Sequence, residues 1–360
     1  MRPAPPRVAV RAALAARRAL LRLADRLLPA ELALFQHSIG IGRTHLLGAL
    51  AELEVADALA RGPATAAELA DRLGLDADTL HRVLRAAAVE GLVRLDRRGR
   101  FSLARLGQPL RADSPLSMRD WARYIARPST AAAWAALAHG IRTGASPFAH
   151  VHGTSVWAWF AAHPDEERLF AGAMQRLTEG EAPALVAGHP WPAEGTVCDV
   201  AGGVGTLLAA ILRARPRLRG VLVEAPGVLG EAERHLARAG LRQRGELVAG
   251  DLHGKLSAEA DVYVLKHVLH DWDDATGAGI LRALRATMRP GARLVMIEQL
   301  QERNQPDPFA SLVDVHMLTQ CDGGRERSVA ELHALLRAAD FVPGPVRKTV
   351  GSALLEATAG

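Results

Sequence analysis

The sequence predicts an α/β chain in two parts. A mainly α, winged-helix-like domain comes first, and a domain built on a parallel sheet follows. Three observations lead there. The chain has 360 residues, more than one ordinary core holds and suited to two domains. Residues from Gly62 to Gly107 read as helix, turn, helix, hairpin, a winged-helix pattern. After Pro190-Trp191-Pro192, short apolar runs alternate with helical ones, the signature of strands joined by crossover helices. The expected division is a basic extension over 1–30, a winged-helix-like domain over 31–110, a helical segment over 111–190 and an α/β domain over 191–360.

Composition narrows the function classes. Hydrophobic residues make up 49 %, enough for a sizeable core. No run of about 18 apolar residues occurs, so no membrane span is expected. Two cysteines, Cys198 and Cys321, are too few for a disulfide scaffold and fit a reducing, cytoplasmic setting. The formal charge is +5, which raises the question of nucleic acid. The basic residues are almost all Arg, scattered among Ala and acids, and aromatics are 4 %. That argues for compositional bias over a binding stripe.

The first 30 residues carry seven Arg and one acid, Asp25. They resemble a basic amphipathic helix, and superficially a transit peptide. They lack serine and a cleavage pattern, so an extension or an extra packing helix is the reading. In the next part Thr65 and Asp76 are placed to cap two helices separated by Gly74. VRLDRRGRFSLARLG alternates about Arg98-Gly99 as a hairpin does. The second helix offers Arg82 and Arg85 but few residues suited to reading base edges, which favours protein contact over DNA.

In the α/β part, TVCDVAGGVG is a strand entering a glycine turn, and RGVLVEAP, GELVAGD, DVYVLKHVLHDW and ARLVMIEQL are further strands. Ligands on such sheets bind beyond the carboxyl ends of the strands. The exits carry Asp199 with Gly202, Gly203 and Gly205, then Glu224, Asp251, His270 and Glu298. Glycines let a backbone approach a ligand closely. Glu224 follows Gly205 by 19 residues, where a carboxylate accepts ribose hydroxyls, and Asp251 can accept from an adenine amino group. The turn lacks the Lys-Ser or Lys-Thr of a phosphate loop. An adenosine ligand is expected and a triphosphate is not.

GDL, VLKHVLHDWDD and MLTQCDGGRERS, in this order and spacing, resemble the small-molecule O-methyltransferases that use S-adenosylmethionine, of plant phenolic and bacterial secondary metabolism. The likeness covers nearly everything after residue 31. It implies a Rossmann-like class I methyltransferase sheet, a winged-helix dimerisation domain and hence a homodimer, a small-molecule substrate, and a place in pathways such as antibiotic biosynthesis. By position it implies that Gly202, Gly203, Gly205, Glu224, Asp251, Leu252 and Lys266 hold the cofactor. It implies that His270 is the general base flanked by Glu298 and Glu326. It implies that Trp157, Met174, Asp271, Met317 and Cys321 line the substrate pocket. Two positions depart from the pattern: Ala201 stands for the usual first glycine of the turn, and Glu224 for an Asp.

The chemistry is coherent without the family. A methyl on a sulfonium is already electrophilic, so the protein must supply a nucleophile and align it. Histidine is suited to take a phenol's proton, and a carboxylate on its other nitrogen fixes the tautomer and stabilises the imidazolium. No metal is expected, because HDWDD lacks a second His at the spacing of a zinc site. Asp273 and Asp274 read as an N-cap and a first-turn acid. Two other readings stay open: hydroxylation or N-methylation on the same fold, and a winged-helix regulator that senses a metabolite.

Overall fold

A computed structural model describes residues 7–254, 256–307 and 309–359. The chain divides into two compact units: residues 11–131 with 160–177, and the remaining described residues.

The first unit is helical. Its helices are α1 (Arg7–Arg26, of which residues 7–10 count with the second unit), α2 (Ala30–Ser38), α3 (Gly40–Glu52), α4 (Val55–Ala60), α5 (Ala66–Leu73) and α6 (Ala77–Val89). The extension expected over 1–30 is thus helical from Arg7, and its first six residues lie outside the described residues. Thr65 and Glu68 form a reciprocal capping box at the start of α5, Gly74 ends it in the left-handed region, and Asp76 caps α6 through Thr79 N–H. These caps satisfy amides that a helix start leaves orphaned. The hairpin pairs β1 (Val93–Leu95) with β2 (Phe101–Leu103), and Ala64 bridges to Phe101 on its other side. Leu50, Leu59, Leu69, Leu84 and Phe101 make the core beneath, while Arg82 and Arg85 point to solvent.

The intervening helices are α7 (Arg119–Ile125), α8 (Pro128–Ala135), α9 (Leu137–Thr143), α10 (Pro147–His152), α11 (Val156–Ala162) and α12 (Pro164–Gly188). The second unit's sheet then begins. Its strands are β3 (Glu194–Val200), β4 (Arg217–Glu224), β5 (Gly245–Ala249), β6 (Val262–Lys266), β7 (Arg293–Glu298), β8 (Phe341–Lys348) and β9 (Ala353–Ala359). They lie in the order β5-β4-β3-β6-β7-β9-β8. Strand order reverses between β3 and β6, the kind of switch point beyond whose carboxyl strand ends ligands bind.

The first five strands are parallel, as the alternation of strands and helices predicts. The sheet as a whole is mixed. β9 inserts antiparallel between β7 and β8. A tight β8–β9 hairpin delivers it there, and no crossover helix is needed for antiparallel neighbours.

Side chains alternate across the sheet. Val262 and Val264 of β6 join one core layer with Leu208, Ile211 and Leu212 of α13 (Thr206–Ala214) and Leu236 of α14 (Pro226–Arg238). Tyr263 and Leu265 join the other with Ile280, Leu281 and Leu284 of α15 (Asp274–Thr287) and Leu335 and Leu336 of α17 (Val329–Ala338). Apolar runs on β6 and β7 are therefore buried on both faces. At roughly 1.5–3 kcal/mol per buried large aliphatic side chain, these layers anchor the strand exits. The Tyr263 hydroxyl, wholly buried, donates to Ala258 O at 2.7 Å and accepts from Ala260 N–H.

Candidate active site

The glycine turn leaves β3 at Ala201. That residue takes a left-handed φ of 54°, and its N–H donates to Val223 O at 2.8 Å, tying the turn to β4. A Cβ on Gly202 would lie 2.5 Å from Asp199 Cγ and 2.8 Å from Leu222 Cδ1, so only glycine fits. Gly203 has φ 59° and nothing within 4 Å of where a Cβ would stand, which leaves bare backbone facing open space. Gly205, φ 79°, opens α13.

Glu224 closes β4 and accepts from Gly203 N–H and Ala225 N–H, each at 2.8 Å. Asp251 follows β5 and accepts from His253 N–H, and Leu252 packs half-buried on the sheet's core. Lys266 closes β6, with Nζ 3.2 Å from Glu181 Oε2 and 3.3 Å from Thr178 Oγ1. Beneath the turn, burial pushes Asp199 up to about 7, with Lys266 pulling the other way. A bare glycine turn beside a backbone-oriented carboxylate at the next exit suits an adenosine ligand.

The sequence reading carries His270 on the end of a core strand. The structure corrects this: β6 stops at Lys266, because His267 takes a left-handed φ of 53°. His270 instead sits on a short 3₁₀ turn, Leu269–Asp271. Once off the ladder, the turn's amides need other acceptors. Glu298, at the end of β7, supplies one: its Oε1 accepts from Val268 N–H at 3.3 Å and Leu269 N–H at 3.0 Å.

The two acids predicted to flank His270 divide the work. His270 Nδ1 donates to Glu326 Oε1 at 2.9 Å. Glu298 Oε2 stands 3.9 Å from the same nitrogen, too far for a hydrogen bond, so Glu298 holds the turn's backbone and contributes only its field to the ring. Nδ1–H to Glu326 leaves Nε2 as the ring's other face, 3.6 Å from Asp271 Oδ1. Burial alone would lower the proton affinity of His270, but Asp271, Glu326 and Glu298 outweigh it and push it up to about 10. Burial in turn raises Glu298 to about 7 and Asp271 to about 6, with His270 opposing both.

Around Nε2, Cys321 Sγ donates to Asp271 Oδ1 at 3.7 Å, and burial keeps this thiol protonated. Met317, one turn earlier on α16 (Ala310–Gln320), is buried. Trp157 stacks on Trp272 with ring centroids 6.2 Å apart and planes 25° from parallel. Trp134 donates to His316 Nδ1 at 3.2 Å. Met174 lies half-buried on the part of α12 that belongs to the first unit. Both cysteines are free and buried. Among the described residues, His267, His270 and Glu298 bring one donor atom each within 4.8 Å of one another. His267 Nε2 is already engaged with Ser352 Oγ and His270 Nδ1 with Glu326.

Four residues that sequence reasoning missed contact the site: Glu181, Asp314, His267 and Arg327. Asp314 accepts from Glu326 N–H at 2.7 Å. Arg327 stands inside the quoted RERS run, yet nothing in sequence separates it from the other arginines. Its burial at 2 % exposure does.

Residues 134–342 match the family model of the O-methyltransferase domain, and residues 35–112 match that of the O-methyltransferase dimerisation domain. A phenazine O-methyltransferase from Lysobacter antibioticus is 35 % identical over 91 % of this chain and 96 % of its own length. The solved structure of the mitomycin 7-O-methyltransferase MmcR superposes with a TM-score of 0.86 at 34 % identity, covering 96 % of this chain and 100 % of that one. The neocarzinostatin O-methyltransferase NcsB1, solved with S-adenosyl-L-homocysteine and 1,4-dihydroxy-2-naphthoic acid, superposes with a TM-score of 0.76 at 33 % identity over 88 % of this chain and 96 % of its own. With both family models matched in order and a glycine turn suited to an adenosine ligand, the chain belongs to the S-adenosylmethionine-dependent O-methyltransferases of secondary metabolism.

Proposed function

We propose that this enzyme methylates a hydroxyl of an aromatic or polyketide-like small molecule, with His270 as general base. The single observation that carries the reading is the hydrogen bond from His270 Nδ1 to the buried Glu326, which commits Nε2 to the acceptor. When bound, S-adenosylmethionine supplies an electrophilic methyl. Gly202, Gly203, Gly205, Glu224, Asp251, Leu252 and Lys266 are the residues to hold it. His270 Nε2 takes the hydroxyl proton, and the carboxylates of Glu326, Glu298 and Asp271 stabilise the imidazolium. With its proton affinity raised to about 10, His270 is protonated near neutral pH and acts as base from its neutral fraction, so the rate rises with pH. Asp271, Cys321, Met317 and the Trp157–Trp272 pair supply a mixed polar and aromatic wall that suits a planar acceptor. An amine would need less help from a base, and the carboxylate cage around His270 favours oxygen over nitrogen.

The dimerisation-domain match, together with exposed Leu20, Leu23, Leu34 and Ile41 on the first helices, supports a homodimer, which light scattering tests. Two free buried cysteines suit a reducing cytoplasm. No helix among the described residues is long and apolar enough to cross a membrane. The test of the reaction uses S-adenosylmethionine with an isotopically labelled methyl and a panel of phenols and aromatic polyketides. Labelled product is expected, and His270→Ala should lower kcat by about 10²–10⁴-fold. Oxygen gained without label, or near-full rate in His270→Ala, overturns the reading.

A further inference from the structure

Arg327 is a buried charged group beside the His270 turn, with its side chain 1 % exposed. A buried guanidinium is tolerated only when its donors are paired. Here Nε donates to Asp274 Oδ1 at 2.8 Å, Nη1 to Leu269 O at 2.6 Å and Nη2 to Trp272 O at 2.7 Å. The two carbonyls bracket His270 on either side.

The neighbours of Arg327 grip the same turn. Arg325 N–H donates to His270 O at 2.8 Å, and Glu326 takes the Nδ1 proton. Residues 325–327 therefore satisfy three carbonyls, of Leu269, His270 and Trp272, together with the ring. Glycines let the segment lie this close: a Cβ on Gly324 would stand 3.1 Å from His270 O, and one on Gly323 would stand 2.7 Å from Asp273 Cβ. The segment is itself anchored, because Gln301 N–H donates to Arg327 O at 3.1 Å and Asp314 accepts from Glu326 N–H.

We propose that Arg327 is a positioning residue that holds the 269–272 turn so that the His270 ring meets Glu326 on one nitrogen and the acceptor hydroxyl on the other. A planar fork with donors in fixed directions can span two carbonyls and a carboxylate at once, and an ammonium cannot. The proposal rests on His270 being the base.

The experiment compares Arg327→Met and Arg327→Lys with the parent enzyme and His270→Ala. It measures kcat and acceptor KM, S-adenosylmethionine affinity by calorimetry, and the downfield proton signal of the His270–Glu326 hydrogen bond. Arg327→Met should lower kcat about 10- to 100-fold, leave cofactor affinity within about twofold, and lose the downfield signal. Arg327→Lys should recover part of the rate. If Arg327→Met does not fold, Arg327→Lys decides alone, with a smaller drop of the same kind expected. The proposal is overturned if the variants lower only the melting temperature while kcat and the signal persist. It is equally overturned if cofactor affinity and kcat fall together, which would mark general damage to the sheet edge. If His270→Ala keeps its rate, the base assignment fails. If His270→Ala is dead while both Arg327 variants keep their rate, only the positioning role fails.

Discussion

Replacing Glu326 with glutamine keeps an oxygen to accept from His270 Nδ1–H and withdraws only the negative charge. The Glu326 side chain is 0 % exposed and its Oε1 lies 2.9 Å from Nδ1, so water does not substitute for the lost charge. A hydrogen bond to a charged group contributes about 1.5–3 kcal/mol. At about 1.4 kcal/mol for each pH unit of proton affinity, that lowers the affinity of His270 by about one to two units. The consequence for rate depends on pH. Where the free enzyme already carries a protonated His270, the reacting state, imidazolium beside phenolate, is protonated too. Loss of Glu326 then raises both by the same amount, and kcat/KM near pH 7 changes little. Where the free enzyme carries a neutral His270, only the reacting state contains imidazolium, and kcat/KM falls by the full amount, about 10- to 150-fold. For the parent enzyme, kcat/KM toward a phenol should rise about tenfold per pH unit from about pH 7 to 9. In Glu326→Gln the rising limb should overlie the parent's near pH 7 and level off earlier, its upper break moved toward neutrality by the one to two units above, so that the deficit widens as pH increases. Initial rates from pH 6.5 to 10 decide it. A deficit equal at both ends, or a break that stays in place, would refute the electrostatic role and leave Glu326 as an orienting group only.

Further predictions concern other parts of the second unit. Ala201 holds a left-handed φ where a Cβ is strained; Ala201→Gly should stabilise the fold by about 0.5–1 kcal/mol, and an unchanged or lower urea midpoint would count against that strain. Glu224→Ala should weaken S-adenosylmethionine binding about 10- to 100-fold by calorimetry, with kcat at saturating cofactor much less affected; equal loss in both would assign Glu224 to the integrity of the turn. His189 has a fully buried side chain, and burial lowers its proton affinity to about 4. Between about 6.5 and 4 the unfolded chain takes up a proton that the folded chain refuses. Stability should therefore fall by about 1–3 kcal/mol over that window, and His189→Phe should flatten the fall; parallel pH profiles for the two proteins would exclude His189 as its source.

Much of this protein is readable along the chain because the deciding interactions are short in sequence. Thr65 and Asp76 cap helices through amides three residues away. Gly99 turns a hairpin whose partners lie a few residues on either side. The apolar runs of β3 to β7 declare themselves because both sheet faces are covered, and the glycine turn because Gly202 has no room for a Cβ. Glu224, Asp251, His270 and Glu298 fall at or just beyond strand exits for the same reason: polar groups collect where the ladder ends.

What only the tertiary structure decided depends on residues far apart in sequence. β9 enters between β7 and β8 because antiparallel pairing imposes no connection length that a pattern reveals. β6 stops at Lys266 because His267 turns left-handed, although its amide still binds Ile297 O on the paired strand β7. Glu326, 56 residues after His270, takes the ring proton, while Glu298 is diverted to backbone amides. Arg327 is set apart by being buried against Leu269 and Trp272. Residue type and local spacing determine which groups can do acid–base chemistry. The folded packing determines which nitrogen, which carboxylate oxygen and which carbonyl they meet, because hydrogen bonds are set by distances of a few tenths of an ångström that no sequence interval encodes.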